Sequence, residues 1–422
     1  MTTLALEQRD TRLGAVAHFS GIVGFYFAIR LLAVVISVRF FDADPQLGAG
    51  ASLMLNYFFL IVAAFLSFGP GARKFSWFCA MPSFRWALAF VVFSGCSLLW
   101  TKSASISAAI AFWIAMASDF LIVVLLLRIG NIREAVDPLM TGYVLGSCAI
   151  ALIAWLLPAQ SDLRLGDEDY LGANQIGYAS PLAFFFAQYL MRRGMRGLRM
   201  PAVLLAVTML RSLSKTTIVA FLVAQVFLLS RDKSVSAKAK LLIGFITTAV
   251  LVTFWSLLTA YYDVYTHAGN QAETLTGRIG IWAFILNEAL QHPWIGHGFH
   301  SVWKVIPPFG VFEARHAHNE LLQQFYAYGV IGVSIFVGLY VSVFREIRRM
   351  QSGSIRILLF AILLFVLVRG MADTEVFDLS LPLWAIVLIG STIADEMRRE
   401  RDLRPGNGYL QSSPNIVSGQ EA

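Results

Sequence analysis

Residues 105–127, SISAAIAFWIAMASDFLIVVLLL, contain one charged side chain, Asp119, and are long enough to cross a bilayer as a helix. Similar apolar windows recur along the 422 residues, which are 57% hydrophobic and 14% charged. A soluble globular protein carries about 25% charged residues. The 13% aromatic content excludes a disordered or collagen-like chain, because both lack the apolar mass for a core. The composition therefore predicts a membrane protein.

Twelve apolar windows are predicted to span the membrane as helices. They lie at about 17–38, 50–69, 84–101, 105–127, 138–158, 175–191, 194–212, 214–230, 241–261, 327–344, 355–373 and 379–394. The first window lacks a small-residue cleavage site, so it is predicted to be retained. Backbone groups at membrane depth must be satisfied internally, and the windows lack the ten-residue alternation of an outer-membrane barrel. The predicted fold class is all-α, a polytopic membrane helical bundle of about 12 transmembrane helices.

The net charge of +7 raises the question of a nucleic-acid partner, and the distribution of the basic residues answers it. With the N-terminus inside, 23 of the 33 Lys and Arg residues fall in inside loops and 8 in outside loops. The positive-inside rule accounts for this excess, so no nucleic acid is expected. Both termini are predicted to be cytoplasmic.

One connection, residues 262–326, is far longer than the others and is predicted to lie outside. It divides the chain into transmembrane residues 1–261, the loop itself, transmembrane residues 327–396 and a tail, 397–422, that is predicted to be disordered. Six of the seven histidines lie in the loop: His267, His292, His297, His300, His316 and His318. The loop is therefore the candidate functional domain.

Within the loop, Thr276-Gly277-Arg278 opens a helical pattern that Pro293 ends. The pattern predicts an amphipathic helix at the outer membrane surface, with a packed apolar face. That face comprises Ile279, Trp282, Leu286 and Leu290. Arg278 in the first turn suits a phosphate ligand, since a helix N-terminus favours anions; a solvated or acid-paired arginine is the alternative.

A second helical run, Leu321 to Tyr328, follows His316-Ala317-His318-Asn319-Glu320. Imidazole and carboxylate side chains at this spacing are compatible with a metal site. A histidine of near-neutral pKa also suits a general base. The third possibility is that His318 has only a structural hydrogen bond at the start of the helix.

Two cations, Arg211 and Lys215, interrupt a long apolar block at a predicted tight hairpin, Arg211-Ser212-Leu213-Ser214-Lys215-Thr216. Cations at bilayer depth are costly and indicate a functional site, although they can also extend to the lipid headgroups. Arg369 and Asp373 lie one helical turn apart and are predicted to form an internal ion pair. Arg30 and Asp119 form a second candidate pair.

These motifs, in this order, resemble the O-antigen ligase and exopolysaccharide or O-antigen polymerase family of bacterial integral-membrane glycosyltransferases. Gly277-Arg278 with Ile281-Trp282 is similar to its Gly-Arg and Ile-Trp loop motif, and residues 293–298, PWIGHG, are similar to its Pro-x-aliphatic-Gly-x-Gly turn. His318-Asn319, followed by residues 328–332, YGVIG, matches its His-Asn and aromatic-Gly-aliphatic-aliphatic-Gly pattern. The resemblance is best over residues 200–345.

Two positions depart from the family's pattern. The hairpin reads Ser214-Lys215-Thr216 instead of Ser-Arg followed by small residues, which is closer to the exopolysaccharide polymerase branch. Lysine keeps the charge but loses the two-pronged geometry of arginine. Of the family's Gly and Asn-Pro-Asn motif in an earlier outer loop, only Asn174 is carried over.

The resemblance implies an inverting, metal-independent glycosyltransferase of the GT-C type that needs no cofactor. It uses an undecaprenyl-diphosphate-linked oligosaccharide donor and a glycan acceptor on the periplasmic face of the bacterial inner membrane, alongside a flippase and a chain-length regulator. His318 would be the general base. Diphosphate contacts would come from Arg278, Lys215 and Arg211, with support from His316, Asn319, Arg315, Arg369 and Asn174.

The implied reaction is polymerisation of repeat units into exopolysaccharide or O-antigen. Two alternatives remain. The first is a ligase that transfers the finished polymer to lipid A core. The second is a transporter or flippase, whose site would lie at the bilayer midplane in broken helices and not in one outer loop.

Overall fold

The computed structural model describes residues 3–68, 72–158, 164–167, 170–233, 235–253, 255, 259, 262–263, 275–303, 305–306, 315–375 and 378–402. Over these residues the chain is all-α, as predicted, and its β content is an isolated bridge between Asp167 and Leu171. Residues 403–422 of the predicted tail and His267 lie outside the described residues, whereas residues 397–402 are helical and not disordered as predicted.

Helices follow one another along the whole described chain. We number them α1 Thr3–Ile29, α2 Ala33–Phe41, α3 Pro45–Ser67, α4 Phe75–Cys79, α5 Pro82–Cys96, α6 Ile106–Leu127, α7 Ile132–Leu156, α8 Ala173–Arg192, α9 Arg199–Ser212, α10 Lys215–Arg231, α11 Ala237–Thr253, α12 Leu275–Ala289, α13 Glu320–Arg349, α14 Ser354–Gly370 and α15 Leu383–Asp402.

Local sequence explains where several of these helices begin. Asp44 caps α3 by accepting a hydrogen bond from the Gln46 backbone N–H, and Pro45 occupies the first helical position, where no backbone donor is needed. Asn131 and Glu134 form a reciprocal capping box at the start of α7. These caps satisfy backbone N–H groups that the helices themselves leave unbonded.

Six stretches of described helix are long and apolar enough to cross a membrane, which identifies a multi-pass membrane protein. They are Gly14–Phe41, Pro45–Ser67, Pro82–Leu99, Ile106–Leu127, Ile132–Leu156 and Glu320–Arg349. A helix also occupies each of the other predicted windows, but α9 and α10, with 14 and 17 residues, are shorter than the roughly 20 residues a straight span needs. The count of twelve spans stays a prediction.

The predicted pair between Arg30 and Asp119 is present and joins the end of α1 to α6. Arg30 Nη1 bonds to Asp119 Oδ2, and the side chain of Asp119 is only 5% exposed. A buried charge needs such a partner, so the pair allows Asp119 to lie inside the bundle, while the side chain of Arg30 is 27% exposed.

The turn at residues 293–298 is locked against a kink in α13, and this contact positions the start of that helix. Gly329 interrupts α13 with φ 63° and ψ −161°. Backbone bonds cross the contact from Gly298 N to the Ala327 carbonyl (2.7 Å) and from Val330 N to the Pro293 carbonyl (2.8 Å). A Cβ on Gly329 would lie 2.4 Å from the backbone carbon of Trp294. The glycine motifs at residues 293–298 and 328–332 therefore pack against each other in one close backbone contact.

Gly329→Ala is expected to destabilise the protein by about 2–4 kcal/mol, since the backbone conformation is nearly restricted to glycine and the new methyl group overlaps the turn. Thermal unfolding of the purified protein in detergent measures the effect. Gly353→Ala is the matched control, because a Cβ there meets nothing within 4 Å and φ is −168°. Equal melting temperatures for the two variants would contradict the proposed packing.

Candidate active site

Predicted site residues from distant parts of the chain meet at residues 371–375, the connector that leaves α14. Asn319, which caps α13 by accepting from Leu322 N, donates from Nδ2 to the Met371 carbonyl (2.9 Å). Arg278, near the start of α12, bonds through Nη1 to the Ala372 carbonyl. The connector thus holds the His-Asn motif and the Gly-Arg motif in one place.

His318 faces an acid–arginine pair at the centre of this cluster. It is buried and has φ 50°, and its Nδ1 lies 3.5 Å from Asp373 Oδ1. The other oxygen of Asp373 accepts a hydrogen bond from Arg369 Nη2 at 3.1 Å, which confirms the predicted ion pair. The arrangement is a histidine beside a carboxylate whose charge is held by an arginine.

Arg369 is enclosed by the protein. Its side chain is 2% exposed, its Nη2 also donates to Glu375 Oε1 (2.9 Å), and its guanidinium stacks 4.8 Å from the centre of the Tyr178 ring. Two acids and an aromatic face surround Arg369, which fits a role in fixing Asp373. Its buried Nε and Nη1 have no hydrogen-bond partner among the described residues.

The electrostatics of the cluster keep Asp373 charged and His316 neutral. Burial would raise the pKa of Asp373, but the Arg369 guanidinium and the contact with His318 outweigh it and hold that pKa well below its usual range. Burial, with a smaller contribution from the neighbouring His318, lowers the pKa of His316 to about 3. His316 packs on His318 with ring centres 4.0 Å apart, and its Nδ1 accepts from the His318 backbone N–H (3.3 Å).

The α9–α10 hairpin forms the opposite side of the site. Leu213 turns the chain with φ 59°, and Ser214 Oγ lies 2.9 Å from Asn174 Oδ1 at the start of α8. Arg278 Nη1 donates to Thr216 Oγ1 (3.1 Å) in the first turn of α10, while its buried Nε has no hydrogen-bond partner among the described residues. The hairpin, α8 and α12 are therefore bonded to one another next to the His318 cluster.

The other predicted cations lie around this core. Lys215 is exposed as the first residue of α10, one position from Thr216, to which Arg278 is bonded. Arg211 is half-buried near the end of α9, and Arg315 is exposed just before the His316 turn. The network of bonds described above does not include Arg211 or Arg315.

The histidines of the long loop do not form one cluster, contrary to what their number in the sequence suggests. His297 stacks on Tyr326 with ring centres 4.3 Å apart, and His300 Nδ1 lies 2.7 Å from Ser103 Oγ. Burial lowers the pKa of His300 to about 4, so it is neutral near pH 7. Residues 297–300 are anchored to the segment after α5, where Lys102 N donates to the His297 carbonyl (2.8 Å). Two of the described histidines, His316 and His318, are left for the candidate site.

The predicted packing face of α12 is wrong except at Trp282, which packs on the buried cluster and donates from Nε1 to the Ala317 carbonyl (3.0 Å). Ile279, Leu286 and Leu290 are 55%, 45% and 59% exposed, whereas the packed face contains Ile281, Ile285 and Ala289. The segment is apolar on more than one side, so spacing alone did not identify the side that meets the protein. The exposed apolar side agrees with a helix at the membrane surface, which stays a prediction.

His316, His318 and Asp373 also have the geometry of a candidate metal site. One ligand atom from each lies within 4.8 Å of the others. The chemistry fits a cation poorly, because Arg369 donates to Asp373 and offsets the carboxylate charge that would attract one. The cluster fits an acid-oriented histidine better than a cation cage.

Some of the site was not visible in the sequence. Asp373 was assigned only to Arg369, since a separation of four residues explains that pair completely. Its contact with His318 spans more than fifty positions and depends on the connector after α14. Tyr178 carries no sequence signal of its own, and Thr216 was noted only as part of the hairpin motif.

Residues 200–337 match the family model described as O-antigen ligase. This part of the chain is similar to the O-antigen ligase family. Over 167 residues the chain is 27% identical to an O-antigen ligase from Pseudomonas aeruginosa, and the match covers 39% of this chain and 38% of that protein. The predicted resemblance to the O-antigen ligase and polymerase family is confirmed.

The family region contains the structural elements that converge on the connector. It runs from α9 through the hairpin, Arg278 and His318 into α13. Asn174 and residues 369–375 lie outside the matched region, although their side chains complete the cluster. The matched region is thus bonded to both flanking parts of the bundle.

Asp373→Asn is expected to lower kcat by about 100-fold with little change in KM, because an amide no longer favours the His318 tautomer that suits a base. Transfer of a labelled lipid-linked glycan by the purified protein measures both constants. Glu375→Gln is the matched control, since it removes the other acid bonded to Arg369 without touching His318. An equal loss of kcat in Asp373→Asn and Glu375→Gln would mean that the ion pair of Asp373 with Arg369 contributes only to stability.

Proposed function

We propose that this protein polymerises undecaprenyl-diphosphate-linked oligosaccharide repeat units by inverting glycosyl transfer on the periplasmic face of the inner membrane. The observation that carries the proposal is the juxtaposition of His318, oriented by Asp373, with the cationic hairpin and Arg278. A base and a set of cations at one membrane-facing site are what a metal-free transfer from a lipid diphosphate requires.

His318 is the proposed base. Since Nδ1 faces Asp373, Nε2 is the ring atom that takes the proton from the acceptor hydroxyl. The hydroxyl oxygen forms a bond to the anomeric carbon from the side opposite the diphosphate, and the bond from that carbon to the diphosphate oxygen breaks. Because the oxygen attacks from the opposite face in a single displacement, the anomeric configuration inverts.

Arg278 and Lys215 are the proposed partners of the leaving diphosphate, with Arg211 nearby in the same hairpin. The diphosphate gains negative charge as the glycosidic bond breaks, so fixed cations stabilise the transition state more than the ground state. The buried Nε of Arg278 leaves a donor for a phosphate oxygen, while its Nη1 bonds to Thr216 and Ala372 fix the side chain.

The ligase that transfers a finished polymer to lipid A core is the second candidate, and the name of the Pseudomonas aeruginosa relative favours it. Lys215 in place of arginine favours the polymerase. A transporter is disfavoured, because the described polar cluster lies at helix ends and connectors and not in the middle of broken helices.

The lipid-linked glycans that accumulate in a deletion strain distinguish the two enzymes. Loss of a polymerase leaves undecaprenyl-diphosphate carrying single repeat units, whereas loss of a ligase leaves long chains on the same lipid. Gel separation and mass spectrometry of the extracted lipid-linked glycans measure this, with a plasmid-complemented strain as the control. Long chains on undecaprenyl diphosphate in the deletion strain would contradict the polymerase proposal and support the ligase.

Chelation tests the metal alternative for His316, His318 and Asp373. We expect transfer by the purified protein to be unchanged after exhaustive treatment with EDTA, because Arg369 already balances Asp373. Loss of activity that added zinc or manganese restores would show that the cluster holds a metal.

A further inference from the structure

A cavity of about 800 Å³ lies between α10, α13 and α14, at the far end of α10 from the candidate active site. Its walls include Phe227 and Arg231 near the end of α10 and Phe344 near the end of α13. Lys215 and Arg231 are the first and last of the 17 residues of α10, which corresponds to a rise of about 24 Å between them. The cavity is therefore separate from the His318 cluster.

The cavity has an apolar wall and a cationic rim. Phe344 and Leu367 are 43% and 45% exposed there, and Phe360, Leu363 and Leu364 extend the wall along α14. The rim is formed by Arg231, Lys233 and Arg356. The Arg356 guanidinium lies 5.7 Å from the centre of the Phe360 ring, so charge and apolar surface meet at that point.

The positive charge of the rim is not neutralised by the acid in its lining. Asp232 is buried, and its carboxylate accepts a hydrogen bond from Arg192 at 3.1 Å. Lys240 adds a further cation nearby, since its Nζ donates to the Ser230 carbonyl (3.2 Å). Three lining cations thus face a single acid that already has a partner.

We propose that this cavity binds an anionic glycerophospholipid of the cytoplasmic leaflet. The phosphate lies at the rim of Arg231, Lys233 and Arg356, and an acyl chain lies along the aromatic and leucine wall of α14. Basic pockets between transmembrane helices are suited to anionic headgroups. Inorganic phosphate would leave the apolar wall uncovered, and a zwitterionic headgroup would place its own cation against the rim. The inference does not depend on the chemistry at His318.

Native mass spectrometry of the full-length protein tests the proposal with phosphatidylglycerol and phosphatidylcholine of identical acyl chains. We expect phosphatidylglycerol to bind the wild type at least tenfold more tightly. Arg231→Gln/Arg356→Gln should weaken phosphatidylglycerol binding roughly 10- to 30-fold, because each basic side chain near the headgroup contributes to the attraction. The matched control is Arg345→Gln/Arg348→Gln, which removes two exposed charges of α13 that do not line the cavity.

Two further variants keep the test decisive if the double variant is unstable. Lys233→Gln changes an exposed side chain and should by itself weaken phosphatidylglycerol binding. Leu364→Trp fills the wall and should reduce the binding of both lipids. Equal affinity of the wild type for the two lipids would overturn the proposal. So would a control variant that loses as much phosphatidylglycerol binding as Arg231→Gln/Arg356→Gln.

Discussion

His318→Ala is expected to lower the rate of glycan transfer by roughly 10²- to 10⁴-fold, the usual contribution of a positioned general base. The protein should still insert into the membrane and accumulate, because the bonds that hold the site together use other residues. These include the bond from Asn319 to Met371 and the pair between Arg369 and Asp373. Polymer length in the complemented deletion strain and single-turnover transfer by the purified variant measure the loss.

His292→Ala is the matched control for this loss. His292 is an exposed histidine of the same loop, and its Nε2 lies 2.6 Å from Lys102 Nζ, away from the Asp373 cluster. The His292→Ala variant should transfer glycan at nearly the wild-type rate. Polymer of normal length from the His318→Ala strain would show that His318 is not the general base.

Arg278→Lys is expected to lower transfer by roughly 10- to 100-fold although it keeps the positive charge. A hydrogen bond to a charged group contributes about 1.5–3 kcal/mol, and lysine cannot bond to Thr216, the Ala372 carbonyl and a phosphate oxygen through one rigid fork. Initial rates at saturating lipid-linked donor measure the change. Transfer by Arg278→Lys at the wild-type rate would falsify diphosphate recognition by this side chain.

Arg39→Lys is the control for the arginine substitution. Arg39 Nε pairs with Asp167 Oδ2 at 2.7 Å; the side chain of Arg39 is 44% exposed and that of Asp167 is 9% exposed, and lysine keeps the charge of this ion pair. A comparable loss in both variants would indicate a general effect of arginine on stability. A loss of transfer in Arg278→Lys but not in Arg39→Lys would show that the forked geometry of arginine is needed at position 278.

The local sequence predicted where helices occur better than it predicted which face of a helix is buried. Asn319 was expected at the start of a helical run, and it caps α13 in the structure. Gly329 interrupts that helix where the sequence suggested only a motif, because the kink depends on the turn at residues 293–298. For α12, apolar residues on several sides left the buried face undetermined until its neighbours were known.

The count of histidines in the loop was a weaker guide than the position of single polar groups. His297 and His300 are explained by stacking and by contact with the segment after α5, so they add nothing to the candidate site. Asp373, by contrast, acts on His318 across a contact that no sequence spacing encodes. Pairs four residues apart are readable in a sequence, whereas contacts made by a folded connector are not.

The most direct measurement of the central claim is transfer by the purified wild-type protein with a synthetic undecaprenyl-diphosphate-linked repeat unit, without added metal. We expect new glycosidic linkages of inverted anomeric configuration by nuclear magnetic resonance, with one undecaprenyl diphosphate released for each linkage. Linkages of retained configuration, or no transfer by protein that is folded and lipid-reconstituted, would contradict the single-displacement mechanism at His318.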